Sequence, residues 1–269
     1  MNIIKKTIMK EWLVRRVDIK LFMMGRIFSS IISIIMMFLL SKVSLDLINK
    51  EAAFKFLHYS VLGLIIYNFS LSIIMGVGRS IVNEKRTNTL IQIVVSGEKL
   101  YKVLIGVFIA NMPIALIETI ILSLFALVLN LINISIDNWL IFVFSILLLL
   151  LSIFSIGIFF AFILGISSET FIIQNTAIQL LLLISGVTFP TEILPYNLGK
   201  ILTMFPLRMS ITRVRDILQY GYINNFSSIL TEVGIDFLVI FTVFKLFKIL
   251  ERLTILSQQK ILKKIKKKI

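Results

Sequence analysis

Three carboxylates stand where a carboxylate is costly. Glu118 lies in an apolar run with no other charge between Lys102 and Asp137, and Glu232 and Asp236 are spaced i, i+4 near the start of another apolar run. A charge at the centre of a membrane helix costs roughly 2.5–3.5 kcal/mol on insertion scales, so Glu118 must face protein or water, or hold its proton. Such an acid serves as a proton relay or cargo contact, or it simply meets a structural partner; a lone carboxylate makes no relay, and the structural partner is the simpler reading. Residues at i, i+4 share a helix face. The Glu232–Asp236 pair therefore attracts a cationic cargo, or, more simply, faces basic neighbours such as Arg213 or Arg215. Asn111 and Pro113, before Glu118 in the same run, are further pathway candidates, because proline bends a helix and frees backbone carbonyls.

Other chemistry is absent from the sequence. There is no cysteine and one histidine, His58, which excludes disulfides and thiolate metal sites and leaves too few ligands for a conventional zinc site. No H-E-x-x-H or G-x-S-x-G occurs, so the scattered acids do not suggest a membrane-embedded enzyme. No G-x-x-x-x-G-K-[ST] phosphate loop occurs either, so the sequence carries no means of its own to hydrolyse ATP by that chemistry.

The elements that hold these residues are membrane helices. The 269 residues are 58% apolar and 16% charged, with mean hydropathy +1.00. Soluble domains hold about 45–50% apolar and about 25% charged residues. Six runs approach the roughly 20 apolar residues that span a bilayer. They are Met24–Leu45, Phe56–Gly78, a stretch within Val103–Ile134, Trp139–Ile166, Phe171–Phe189, and Ile229–Leu250. The last is the most charged, with Glu232, Asp236, Lys245 and Lys248.

Charge placement supports the sixth span. The net charge is +14. With six spans both termini share one side, which takes seven Lys and Arg before or at the start of the first span, five in the second–third loop and nine around the tail. The other side takes three between the first two spans and four between the last two. This is a positive-inside pattern with cytoplasmic termini, so the basicity reads as topology and not as nucleic-acid binding. About twenty mixed-charge residues precede the first apolar run, which does not fit a cleavable signal peptide. The expected organisation is one all-α polytopic membrane domain over 1–269, with a cytoplasmic N-terminal helix (1–23), a cytoplasmic loop (79–102), an outer segment (190–228) and a basic cytoplasmic tail (251–269).

Two connections carry information. In the loop after the second span, Thr89 and Gln92 have capping-box spacing, and Leu90, Ile91, Val94 and Val95 supply an apolar face up to Gly97. A short helix flanked by Glu84, Lys85 and Arg86 follows, suited to docking a cytoplasmic partner or serving as a plain solvated loop. The link after the fifth span is too apolar for a free loop and is broken by Pro190, Pro195 and Pro206. Prolines end or kink helices, so short helical pieces re-entering from the outer face are expected; irregular backbone at that depth needs protein or a water-filled cavity around it.

The order of these elements, over essentially the whole chain, resembles the permease subunits of ABC-2 type exporters. Two motifs carry the likeness. Glu84-Lys85-Arg86-Thr87-Asn88-Thr89-Leu90 is similar to the family's E-x-R-x-x-G-T-L stretch, with Asn88 where glycine is usual and Gly97 where proline is frequent. Ser185-Gly186-Val187-Thr188-Phe189-Pro190, with Leu194-Pro195, Pro206 and Arg215, is similar to the outer S-G-x-x-F-P…L-P…P…R segment. The resemblance implies an ATPase-coupling helix at Glu84–Gly97, including Lys85, Arg86, Thr87, Thr89, Leu90 and Gln92. It also implies an outer gate at Ser185, Gly186, Phe189, Pro190, Leu194, Pro195, Pro206 and Arg215. The implied partners are ABC ATPase subunits, which bind ATP and Mg, and a second permease of the same or a related kind. Export is the implied direction; cargo is left open among drug, peptide, lipid and polysaccharide.

The chain itself adds a small-residue stripe, Gly157, Ala161 and Gly165, which permits close helix packing within the protomer or at a dimer seam. The terminal Ile261, Ile265 and Ile269 lie at i, i+4, i+8 among lysines, a basic amphipathic pattern suited to anionic lipid. An ion-coupled secondary transporter or channel is the alternative function, although the two three-helix halves show no evident repeat.

Overall fold

A chain this apolar must satisfy its backbone internally wherever lipid surrounds it, and helix does so within each segment. The computed structural model describes residues 3–47, 50–134, 136–187, 198–222 and 227–266. Among them the helices are α1 (Ile3–Leu47), α2 (Lys50–Arg86), α3 (Thr89–Val95), α4 (Leu100–Val128), α5 (Trp139–Ile166), α6 (Thr170–Ile184), α7 (Leu198–Thr203), α8 (Pro206–Tyr220) and α9 (Ser227–Lys266).

Among the described residues four helices are long and apolar enough to cross a membrane, at Met23–Leu40, Lys55–Arg86, Leu100–Val128 and Trp139–Ile166. These answer the first four expected spans. The fourth coincides with its helix because Asn138 accepts hydrogen bonds from the amides of Leu140 (3.1 Å) and Ile141 (3.3 Å) and so fixes the start of α5. The fifth expected span, Phe171–Phe189, is shorter as helix: α6 has 15 residues, about 22 Å at 1.5 Å per residue, because the chain turns at Ser185 and Gly186. The sixth lies within the 40-residue α9. The N-terminal segment and first span form one continuous helix, α1, where two elements were expected.

α2 is the most buried of the four and forms the axis of the bundle, with α4 and α5 on two sides; α1 packs on α4 and α2, and α9 on α5. Small residues allow this. Gly157 of α5 meets Ile74 and Val77 of α2, Gly78 of α2 meets the Phe160 ring, and Gly165 meets Leu250 of α9 and Ile81 of α2. The Gly157–Ala161–Gly165 stripe is therefore spent within the protomer. Pro113 stands inside α4 without ending it.

Side-chain bonds gather the expected cytoplasmic elements at one end. Lys10 of α1 pairs with Glu84 of α2. Lys85 donates to the carbonyls of Gly165 (3.2 Å) and Ser167 (2.8 Å) at the α5–α6 turn, and the Leu100 amide donates to Glu251 of α9 (3.1 Å). The other end is tied by the Tyr59 hydroxyl, which donates to the Gly186 carbonyl (3.2 Å), and by α8, inserted between α2 and α5. α8 begins with Pro206, whose missing N–H costs nothing in a first turn, and ends at Gly221 with φ 75°.

Candidate functional site

The segment 84–97 folds as a short helix held from behind. α2 ends at Arg86, and Asn88 turns the chain with φ 57°. Asparagine tolerates that left-handed conformation better than most residues, which explains how it replaces glycine here. Gly97, at φ 78°, ends the element. Between them, α3 buries Leu90 and Val94 against α2 and α9.

The capping box is not formed. The residue before α3 is Asn88, which makes no side-chain cap, and the Thr89 hydroxyl donates instead to the Glu84 carboxylate. Glu84 thereby receives both Thr89 and Lys10 and lies buried. Its carboxylate is turned inward, fixing α3 to α1 and α2. Thr87 bonds back to the Asn83 carbonyl (2.8 Å) and to the Thr89 hydroxyl (2.8 Å). Arg86, Gln92 and Val95 remain exposed; Val95, 72% exposed, lies off the buried face on which periodicity had placed it.

Glu118 is ion-paired. Arg26 of α1 lies 2.9 Å from its carboxylate, and Ser30 and Ser72 also hydrogen-bond to it. Arg26, counted in the sequence only as topology, is thus a counter-ion inside the bundle. Asn111, the next polar residue on α4 toward the α3 end, donates to the Val107 carbonyl (2.7 Å) and packs against Gly76.

Glu232 and Asp236 sit in a fully buried polar cluster where α5, α8 and α9 meet. Arg213, one of the two basic neighbours expected, pairs with Glu232, and Ser210 donates to the same carboxylate. Ser152 donates to Asp236 (2.6 Å) and lies 3.1 Å from Glu232, while Ser155 donates to the other Asp236 oxygen. Sequence reasoning missed Ser152 and Ser155. The available signal was their i, i+3 spacing in the otherwise apolar run LLLLLSIFSIG.

Arg215 does not join this cluster. It is fully buried, with its guanidinium carbon 3.6 Å from the centre of the Tyr59 ring, a cation–π contact. The lack of a side chain at Gly63 makes room for it. Of the other outer-segment residues, Ser185 is buried and donates to the Leu182 carbonyl (3.0 Å), Gly186 has φ 61°, and Pro206 opens α8. Phe189, Pro190, Leu194 and Pro195 lie outside the described residues.

Two separate sites emerge: a clasped surface helix at the α3 end, and a buried charged cluster with a stacked arginine at the α8 end. The predicted pathway residues divide between the two sides of α2. Residues 39–247 match the family model described as ABC-2 family transporter protein. No curated protein matches the chain.

Proposed function

The chain belongs to the ABC-2 family of transporter proteins, and from that premise we propose that it is the transmembrane permease of an ATP-driven exporter. Its energy comes from separate ATPase subunits that bind ATP and Mg. The observation that carries the reading is α3: a short helix tied through Glu84 to α1 and α2, packed on α9, with Gln92 and Val95 exposed on it and Arg86 exposed at the end of α2 beside it. A push on that surface reaches three long helices at once. A plain loop would transmit nothing.

In this reading α3 lies in the cytoplasm with both termini, the protein is multi-pass in a bacterial-type plasma membrane, and α6 and α9 complete six spans. The α7–α8 segment is re-entrant from the outer side. Its buried Arg213 and Arg215 fit that placement, since a guanidinium at membrane depth must face protein. Two permeases, identical or related, form the path between them, and the basic tail rests on anionic lipid. Carboxylate pairing disfavours an ion-coupled route: Glu118 and Glu232 each hold an arginine.

The test is purification of the tagged full chain from its native membrane in mild detergent. Co-purification of a Walker-motif ATPase, weakened by Val95→Glu with Arg86→Ala, supports the reading. Equal recovery of the ATPase with both changes in place removes α3 as its docking surface.

A further inference from the structure

Between α1, α2 and α4, at the α3 end, lies a cavity of about 670 Å³. Its α2 wall carries Gly76, Arg79, Ser80, Asn83 and Arg86, which fall at helical spacing on one face. This is a polar, cationic stripe on a helix otherwise apolar enough to span a membrane. The apolar part of the lining includes Val14 of α1 and Ile114 of α4.

The cavity is lined by four basic side chains, Lys10, Arg26, Arg79 and Arg86, and by two acidic ones, Glu11 and Glu84. Lys10 is neutralised by Glu84, and Arg26 by Glu118. Arg79 and Arg86 have no carboxylate partner among the described residues. They stand seven positions apart, which places Arg79 about 10 Å deeper along α2 than Arg86. The headgroup layer on each side of a bilayer is about 5–8 Å thick, so Arg79 lies near its lower boundary when Arg86 lies within it. An unpaired arginine at that depth is expensive unless it meets water or an anion. On α1, on either side of Arg26, Met24 and Phe28 are exposed apolar side chains suited to acyl chains.

We propose that this cavity binds a phosphate-bearing amphiphile, with Arg79 and Arg86 on the phosphate and the tail along α1 and α4. Guanidinium and phosphate match as bidentate partners, and the volume suits a headgroup with part of its chain. The site differs from the basic tail, and its occupancy requires no ATPase.

The full chain in detergent, titrated with dioleoyl phosphatidylglycerol and followed by native mass spectrometry, tests this. One saturable site is expected, with dioleoyl phosphatidylcholine binding weaker. Arg79→Gln should weaken the phosphatidylglycerol site about tenfold or more, the scale of one charge-assisted hydrogen bond, while Arg79→Lys keeps most of it. The tail is unchanged in every variant, so tail binding cancels. Should Arg79→Gln fail to fold, the exposed Arg86→Gln must show the same loss. Wild-type affinity in both Gln variants, or equal binding of phosphatidylcholine, overturns the site. Full displacement by millimolar inorganic phosphate overturns the amphiphile in favour of a soluble phosphate.

Discussion

Replacing Glu232 by methionine should destabilise the protein more than replacing its partner, Arg213. The two form a buried ion pair, 0% and 3% exposed at their side chains. Removing one member of such a pair costs about 3–5 kcal/mol, because the other is left as an uncompensated buried charge. The structure ranks the two losses. Without Arg213, the Glu232 carboxylate still accepts from Ser210 and Ser152, which places Arg213→Met near the lower end. Without Glu232, Arg213 keeps no hydrogen bond among the described residues, since its Nε and Nη1 already have none there, and Glu232→Met belongs near the upper end. The double variant, with methionines of similar volume, should lie closer to wild type than either single change. Thermal unfolding in detergent, followed by helical circular dichroism, reads this directly. At about 2–4 °C per kcal/mol for a chain of 150–250 residues, the single changes should lower Tm by about 6–20 °C. Additive losses in the double variant, or Arg213→Met falling further than Glu232→Met, would refute the reasoning.

Three further outcomes follow from the packing. Gly78→Ala drives a methyl group into the Phe160 ring, with Cδ1 at 2.6 Å, and should cost about 1–3 kcal/mol as overpacking; Gly234→Ala, with nothing within 4 Å, should be neutral or slightly stabilising in the same melt. Glu84→Gln removes the anion that holds Lys10 and should loosen α3, raising hydrogen exchange across Thr89–Val95 several-fold while Tm moves by only a few degrees. The cysteine-free sequence permits single-site labelling: a membrane-impermeant maleimide should reach Asn138→Cys from outside intact cells and reach Val95→Cys only after lysis.

The long elements were legible because an uninterrupted apolar run leaves helix as its only option, and the run from Trp139 to Ile166 maps onto α5 residue for residue. Where turn chemistry decides, periodicity was a poorer guide. The apolar run through Phe189 hid the turn at Ser185–Gly186 that ends α6. The capping spacing at Thr89 fails because the left-handed turn at Asn88 makes Thr89 the first residue of α3 and not its cap, and the Thr89 hydroxyl donates to Glu84. Pairings between distant segments were only partly visible. Arg213 and Glu232 are near in sequence and were anticipated, whereas Arg26 with Glu118, Lys10 with Glu84, and Ser152 with Asp236 depend on how helices pack. Arg215 belongs to the same group, since nothing in its own neighbourhood announces Tyr59.

The central claim is that α3 couples this permease to an ATPase made as another chain. The most direct measurement is ATP hydrolysis by the purified complex in membrane vesicles, comparing wild type with Val95→Glu and Arg86→Ala together. The account predicts that a Walker-motif ATPase purifies with the wild-type chain, and that both its recovery and the hydrolysis rate of the preparation fall with the altered one. A chain that arrives alone, even after crosslinking in its native membrane, would contradict it.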